Sequence, residues 1–180
     1  VHNRVGFNYR MTEIQSAIGL GELRRFDSWN LKRRREYAKM YDEAFAPLAE
    51  IKKLPHNTEE RRHAYWWYPF LLNLDALDIK ADEFVKALMA KGIPCYGIQW
   101  PEAYEERAYR QHNGFGSAKF PFESKEYTDP ARVDYANVLC PMAKLLRDCT
   151  VSLFLHPSWE RVHIERCIEG VRAVLSEHLK

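Results

Sequence analysis

The chain has 180 residues, of which 46% are hydrophobic and 13% are aromatic, and this composition excludes a largely disordered protein. Its 27 basic and 25 acidic residues leave a net charge of only +2, which argues against a protein dedicated to nucleic acids or membrane surfaces. The sequence also lacks an apolar run near the roughly 20 residues that a membrane-spanning helix requires, so one ordinary folded domain is expected.

Residues 1–10 are predicted to form a loop that leads into a helix, because Thr12 and Gln15 have the three-residue spacing of a capping box. The apolar residues on or near one face of this helix are Met11, Ile14, Ala17, Ile18, Gly21 and Phe26. Helical spacing resumes after the basic run at residues 32–35, with Tyr37, Tyr41, Phe45 and Leu48. Together these patterns predict a long leading helical region that ends by Pro55.

Residues 63–74 are predicted to form a strand whose side chains alternate between two apolar faces. One face carries Trp66, Tyr68, Phe70 and Leu72, and the other carries Tyr65, Trp67 and Leu71. Apolar residues on both faces indicate a covered strand, although Pro69 removes a hydrogen-bond donor and favours an edge or a bulge.

A short helix is predicted at Ala81–Ala90, where apolar residues again recur at helical spacing. Its expected buried side chains are Phe84, Val85, Leu88 and Met89. Gly92 suits the left-handed conformation that ends many helices, and residues 93–96 predict a second strand.

The stretch 97–129 is predicted to be a long irregular loop, and loops of this length in compact domains are usually functional or disordered. Its many aromatic residues favour an ordered loop. Pro130 suits the first position of a helix capped by Thr128 or Asp129, and Pro141 is expected to interrupt and restart that helix.

Residues 150–155 predict a third strand, and Ser158 is expected to cap the final helix. The apolar positions of that helix are Ile164, Cys167, Ile168, Val171, Val174 and Leu175. The predicted fold class is therefore α/β, with a small α+β layer in which helices cover a few strands and a long helix leads in. The scattered cysteines, Cys95, Cys140, Cys149 and Cys167, favour free thiols in a reduced, cytoplasmic protein.

Residues 6–20, with the sequence GFNYRMTEIQSAIGL, closely resemble a signature of the DegT-type sugar aminotransferases. The resemblance continues through residues 65–70, 92–94 and 140–143, and so it extends over nearly the whole chain. It implies the C-terminal part of a fold type I, aspartate-aminotransferase-like enzyme that uses pyridoxal phosphate. Residues 1–50 would link to a large cofactor domain, and residues 51–180 would form the small domain.

The signature also has a physical meaning of its own. Asn8 offers an amide donor and Arg10 a planar cation, and both directly precede a capped helix whose N-terminus carries partial positive charge. Such a cluster suits an anion, with phosphate the natural candidate, although a capped helix with an exposed arginine would give the same pattern. In the family the matching asparagine reaches across a dimer interface to the partner's cofactor phosphate. The resemblance therefore implies a homodimer in which Asn8 and Arg10 bind the cofactor.

The family moves an amino group from glutamate or glutamine to a keto-sugar or keto-cyclitol, and the cofactor supplies the electron sink. The lysine that holds the cofactor and the acidic residue at the pyridine nitrogen both precede the matching segment in family members. No lysine here has that context, so the resemblance places no catalytic residue in this chain. The chain is expected to be part of a longer enzyme and inactive alone.

The long loop is the expected substrate-binding segment. Family members carry a His-Tyr-x-Pro-like stretch after the position of Pro94, whereas this chain departs from it, which favours the keto-cyclitol branch. Gln99 could hydrogen-bond a hydroxyl group, and Trp100 and Tyr104 could stack on a ring, although aromatic residues in loops often serve local packing.

The sequence offers three alternatives. Residues 113–120 resemble part of an RNA-recognition motif, with Phe115 and Phe120 as stacking platforms, but the low net charge argues against nucleic-acid binding. His163 and Cys167 have the spacing of two metal ligands on a helix, but Cys167 belongs to the apolar face, so no metal is expected. A non-catalytic homologue with a regulatory or scaffolding role also fits the sequence. His156 is expected to form a local hydrogen bond.

Overall fold

A computed structural model of the protein describes residues 2–6, 10–117, 119–126 and 134–180. The α-helices are α1 (Glu13–Arg25), α2 (Lys32–Phe45), α3 (Ala81–Ala90), α4 (Arg107–Arg110), α5 (Pro141–Cys149) and α6 (Arg161–Glu177). The strands are β1 (Ile51–Lys53), β2 (Trp67–Leu72), β3 (Cys95–Gly97) and β4 (Thr150–Phe154). A π-helical stretch, Phe26–Leu31, joins α1 to α2, and a short 3-10 helix spans Ala103–Glu105.

The chain divides into two compact units. The smaller unit consists of Val1–Arg10 and Gln99–Leu145, and the larger unit consists of Met11–Ile98 and Leu146–Lys180. The larger unit contains the four-stranded sheet and its covering helices, whereas the smaller unit contains α4 and much of the long loop. The predicted division at residue 50, in which residues 1–50 link to a large cofactor domain and residues 51–180 form the small domain, stays a prediction.

The sheet is antiparallel throughout, with the strand order β1-β2-β4-β3. Tyr68 pairs with Leu153 and Phe70 with Val151, and all four side chains are buried on the face that the helices cover. On the opposite face, Trp67 packs against rings from β3 and β4. The core joins this sheet face to α2, α3 and α6. The predicted α/β class, a small sheet covered by helices, is confirmed.

Pro69 does not mark a sheet edge, because β2 lies between β1 and β4. Of the two alternatives, an edge was therefore wrong for β2 as a strand, whereas the pairing of β2 with β1 does contain an irregularity between Ile51 and Lys53. Pro69 pairs with Ser152 of β4, whereas β1 pairs only with Leu71 and Leu72. At Pro69, β2 thus has a neighbouring strand on one side only, and the missing backbone donor is tolerated there.

The leading helical region begins with the predicted capping box. The backbone N–H of Gln15 donates to Oγ1 of Thr12 at 3.3 Å, and the N–H of Thr12 donates to Oε1 of Gln15 at 2.9 Å. Helix α1 is exposed along its length, and Ile14 retains 74% of its accessible surface. In α2, by contrast, Tyr37, Tyr41 and Phe45 are buried, as their spacing of four predicts.

Helix α3 has the predicted bounds and buries Phe84, Val85 and Leu88. Met89, which was expected in the core, is 60% exposed, so that expectation was wrong. It lies one position, about 100° of helical rotation, beyond Leu88, and the core-facing side of the helix ends between them. Gly92 adopts φ 74° and ends the helix, as expected.

The final helix departs from expectation at its predicted cap. Glu160, and not Ser158, is the N-cap of α6, where it forms a capping box with His163. The hydroxyl of Ser158 instead lies 2.7 Å from Nδ1 of His156 and forms a hydrogen bond with it. This contact confirms the local hydrogen bond expected for His156. The helix start predicted at Pro130 lies outside the described residues, while residues 134–140 form turns and α5 begins at Pro141.

All four cysteines are free thiols, as their scattered positions in the sequence predicted. Among the described residues, no helix is long and apolar enough to cross a membrane. Within the same ranges, no group of three or more His, Cys, Asp or Glu side chains is arranged to hold a metal ion.

Candidate functional site

Arg10 is the described member of the predicted phosphate-binding pair, and Asn8 lies outside the described residues. Arg10 is exposed, and its side chain forms no hydrogen bond or ion pair with any other described residue. Its backbone has φ 86°, in the left-handed region that side-chain-bearing residues rarely adopt. Backbone conformations of this kind recur where a side chain is held for binding. The guanidinium of Arg10 has no hydrogen-bond or ion-pair partner among the described residues, so it can bind a ligand.

Trp100 lines a cavity of about 420 Å³ in the smaller unit, together with the opening loop. The loop contributes His2, Arg4 and Gly6 to this cavity. Trp100 keeps 56% of its surface exposed and lines the cavity together with the cationic side chain of Arg4. The indole of Trp100 can stack on a ring of a ligand, while the guanidinium of Arg4 can bind an anionic or hydroxyl group of the same ligand.

Gln99 and Tyr104 do not line that cavity. Gln99 is exposed on the segment before it. Tyr104 is half-buried in the 3-10 helix, and its hydroxyl is buried with no hydrogen-bond partner among the described residues. A buried hydroxyl without a partner is costly for the folded state. The substrate roles of Gln99, Trp100 and Tyr104 stay predictions.

Glu106, which the sequence did not single out, anchors the opening loop to the long loop. Its buried carboxylate accepts from the backbone N–H of His2 through Oε2 at 2.6 Å, and Oε1 lies 3.0 Å from the His2 Nδ1. The backbone N–H of Ala108 donates to the His2 carbonyl at 2.9 Å, and Asn113 Nδ2 donates to the Asn3 carbonyl at 2.7 Å. These contacts hold together the two segments that line the cavity.

The hydrogen bonds from His2 lower the pKa of the Glu106 carboxyl below its ordinary value. A carboxylate with a lowered pKa stabilises the folded state above the pKa of the unfolded chain, about 4.3, and this stabilisation is lost as the pH falls through the folded-state pKa. The amide chemical shift of His2, followed by NMR, should therefore titrate with a midpoint below about 4.3. Glu106→Gln should abolish this titration, and Glu105→Gln should preserve it. A midpoint at or above the ordinary value would contradict the assigned contact.

The segment that resembles an RNA-recognition motif forms a tight turn. Phe115 and Phe120 pair in an isolated antiparallel bridge, and a Cβ on Gly114 would lie 2.1 Å from the Phe120 carbonyl oxygen. Gly114 thus allows two backbone segments to approach closely. Gly116, where φ is 68°, allows a left-handed turn. The two phenylalanines lie outside the sheet, whereas an RNA-recognition motif presents its aromatic residues on sheet strands.

A small antiparallel sheet covered by helices, with a leading helical region, is a fold shared with solved sugar aminotransferases. The chain belongs to the DegT/DnrJ/EryC1/StrS aminotransferase family, whose sequence model matches residues 1–172. This assignment confirms the resemblance seen in the sequence. Members of this family depend on pyridoxal phosphate.

Similar proteins include GDP-perosamine synthase from Caulobacter vibrioides, which is 40% identical over 89 residues, or 49% of this chain and 24% of that protein. An uncharacterized protein from Methanocaldococcus jannaschii is 32% identical over 116 residues, which are 64% of this chain and 29% of that protein. The structure of Helicobacter pylori PseC, an aminotransferase involved in the biosynthesis of pseudoaminic acid, matches with a TM-score of 0.68 at 19% identity. That match covers 96% of this chain and 40% of PseC, so the chain spans less than half of these relatives.

The described residues fit a cofactor with a phosphate group. Arg10 carries a guanidinium that no carboxylate neutralises among the described residues, and its fork of donors matches phosphate oxygens. The backbone N–H of Gln15 is already used by the Thr12 cap, so side-chain donors would have to provide part of the phosphate contacts. Asn8 and Arg10 would supply such donors. The bound cofactor would provide the electron sink for amino transfer.

Proposed function

We propose that this chain is the C-terminal part of an aminotransferase that moves an amino group from glutamate or glutamine to a keto-sugar or keto-cyclitol. The enzyme would be a cytoplasmic homodimer. The observation that carries this function is the family match over residues 1–172, a range that includes Arg10, whose side chain has no partner among the described residues. The similarity to GDP-perosamine synthase favours a sugar-related acceptor.

Within this proposal, Asn8 and Arg10 bind the cofactor phosphate of the partner subunit. Trp100 lies beside the ring of the acceptor. Gln99 is exposed and hydrogen-bonds an acceptor hydroxyl. The contacts of Glu106 with His2 keep the opening loop in place, so the cavity is preformed before the acceptor enters.

The full-length protein, loaded with pyridoxal phosphate, should transfer nitrogen-15 from labelled glutamine or glutamate to one acceptor of a small panel. The panel contains scyllo-inosose as a keto-cyclitol and a nucleotide-linked 4-keto-sugar. Mass spectrometry of the acceptor measures the labelled amine. Enzyme without cofactor is the control, because family chemistry requires the cofactor as electron sink. Absence of transfer to every acceptor, in protein that binds the cofactor, would favour the non-catalytic homologue.

A further inference from the structure

A second cavity, of about 660 Å³, lies in the larger unit beside β1 and β2. Part of its wall is apolar and comes from the strand β2, with Pro69 and Leu71. The rest comes from the end of β1 and the loop that follows it, residues 54–63. No part of this wall belongs to the smaller unit that contains Arg10 and Trp100. It is therefore a separate site.

The cavity has an excess of positive charge. Lys53, Arg61 and Arg62 line it, and their side chains form no hydrogen bond or ion pair with other described residues. Glu60 is the one carboxylate in the lining, so the excess is two charges with the histidines neutral. Exposed cations commonly pair with nearby carboxylates, as Lys52 does here with Asp75 at 3.9 Å. The three cations of the cavity are instead available to a ligand.

The loop is held in place by contacts that leave the guanidinium groups free. Asn57 Oδ1 accepts from the backbone N–H of His63 at 2.7 Å, and Asn57 Nδ2 donates to the hydroxyl of Tyr65 at 3.1 Å. The backbone N–H of Thr58 donates to the Arg61 carbonyl at 2.8 Å, and Thr58 Oγ1 accepts from the Arg61 N–H at 3.0 Å. The backbone of Tyr65 is in the left-handed region, with φ 51°, and its side chain is buried. The buried side chain therefore fixes the end of the loop.

We propose that this cavity binds a small phosphorylated molecule with an apolar body. Two adjacent guanidinium groups can bind phosphate oxygens through paired N–H donors, and Lys53 adds a third positive charge. The apolar surface of Pro69 and Leu71 covers the body of the ligand. This combination of an apolar wall and three cations in one lining distinguishes the cavity from a solvated basic surface.

Phenyl phosphate combines both features and is a suitable probe, with inorganic phosphate and phenol as its separate halves. Titration of the protein, measured by calorimetry and NMR, should show phenyl phosphate binding more tightly than either half. Arg61→Ala with Arg62→Ala should weaken phenyl phosphate binding about tenfold, a factor expected when charged hydrogen-bond donors are lost. The affinity should also fall as salt is raised.

The matched control is Arg24→Ala with Lys39→Ala, which removes the same charge from exposed positions outside the cavity. It should change the affinity by less than about twofold, because screened charges at a distance contribute little. Glu60→Gln removes the only carboxylate of the lining and should tighten binding. Equal weakening in the control and the arginine variant, no binding of phenyl phosphate, or no tightening with Glu60→Gln would each overturn the proposal. Circular dichroism confirms that each variant is folded.

Discussion

Replacement of both Asn8 and Arg10 by alanine should reduce the affinity of the full-length enzyme for pyridoxal phosphate by about thirtyfold or more. Each side chain would lose a hydrogen bond to a charged phosphate, worth about 1–3 kcal/mol, and each 1.4 kcal/mol corresponds to a factor of ten. Fluorescence titration with the cofactor measures the change. Arg24→Ala is the matched control, since Arg24 is an exposed arginine of α1 with no side-chain partner among the described residues. Unchanged affinity in the double variant would contradict the assigned phosphate contact.

The same variant tests whether the two residues act across a dimer. At a cofactor concentration too low to load it, the double variant is inactive, and a second inactive variant lacks the lysine that holds the cofactor, which the family resemblance places before this segment. If Asn8 and Arg10 serve the partner's site, a mixed dimer of the two inactive variants contains one intact site. Random exchange at equal concentrations should then restore about a quarter of the wild-type activity, because half of the dimers are mixed and each has one of two sites intact. No recovery after verified subunit exchange would place the residues in their own subunit's site.

The sequence predicted β2, β4 and the helices α2, α3 and α6 because their apolar periodicity reflects burial directly. It missed the short strand β1, and Trp66, which was expected on a covered face, is 73% exposed just before β2 begins. The alternation in β2 and the spacing of four in α2 both correspond to buried side chains in the structure. The capping box at Thr12 was also predictable, since it depends on two residues three positions apart. Such local signals depend on neighbours along the chain.

Features that depend on distant residues were not predictable. Glu106 and His2 are 104 positions apart, and neither has a local pattern that indicates their contact. The cap of α6 was misassigned because Ser158, a good cap by type, is engaged by His156 and the helix begins later. In the smaller unit, the family signature alone identified Arg10, and its φ of 86° could not be anticipated from residue type.

The position of Met89 shows how far periodicity alone can specify a helix face, and it leads to a stability prediction. Phe84 and Met89 are both large apolar residues of α3, and the sequence placed both in the core. The structure buries Phe84 completely, 6.4 Å from the ring centroid of Phe70 in an edge-to-face arrangement, whereas Met89 is mostly exposed. The two positions therefore form a matched pair for a substitution test.

Phe84→Ala should lower the free energy of unfolding by about 3–5 kcal/mol, because it removes buried apolar surface and leaves a cavity between α3 and the sheet. Met89→Ala should change it by less than about 0.5 kcal/mol, since an exposed methionine contributes little packing and alanine is a good helix former. Urea denaturation followed by circular dichroism measures both values on the same chain. Comparable losses for the two variants would mean that Met89 is covered in solution, and the side of α3 assigned to the core would then be incomplete.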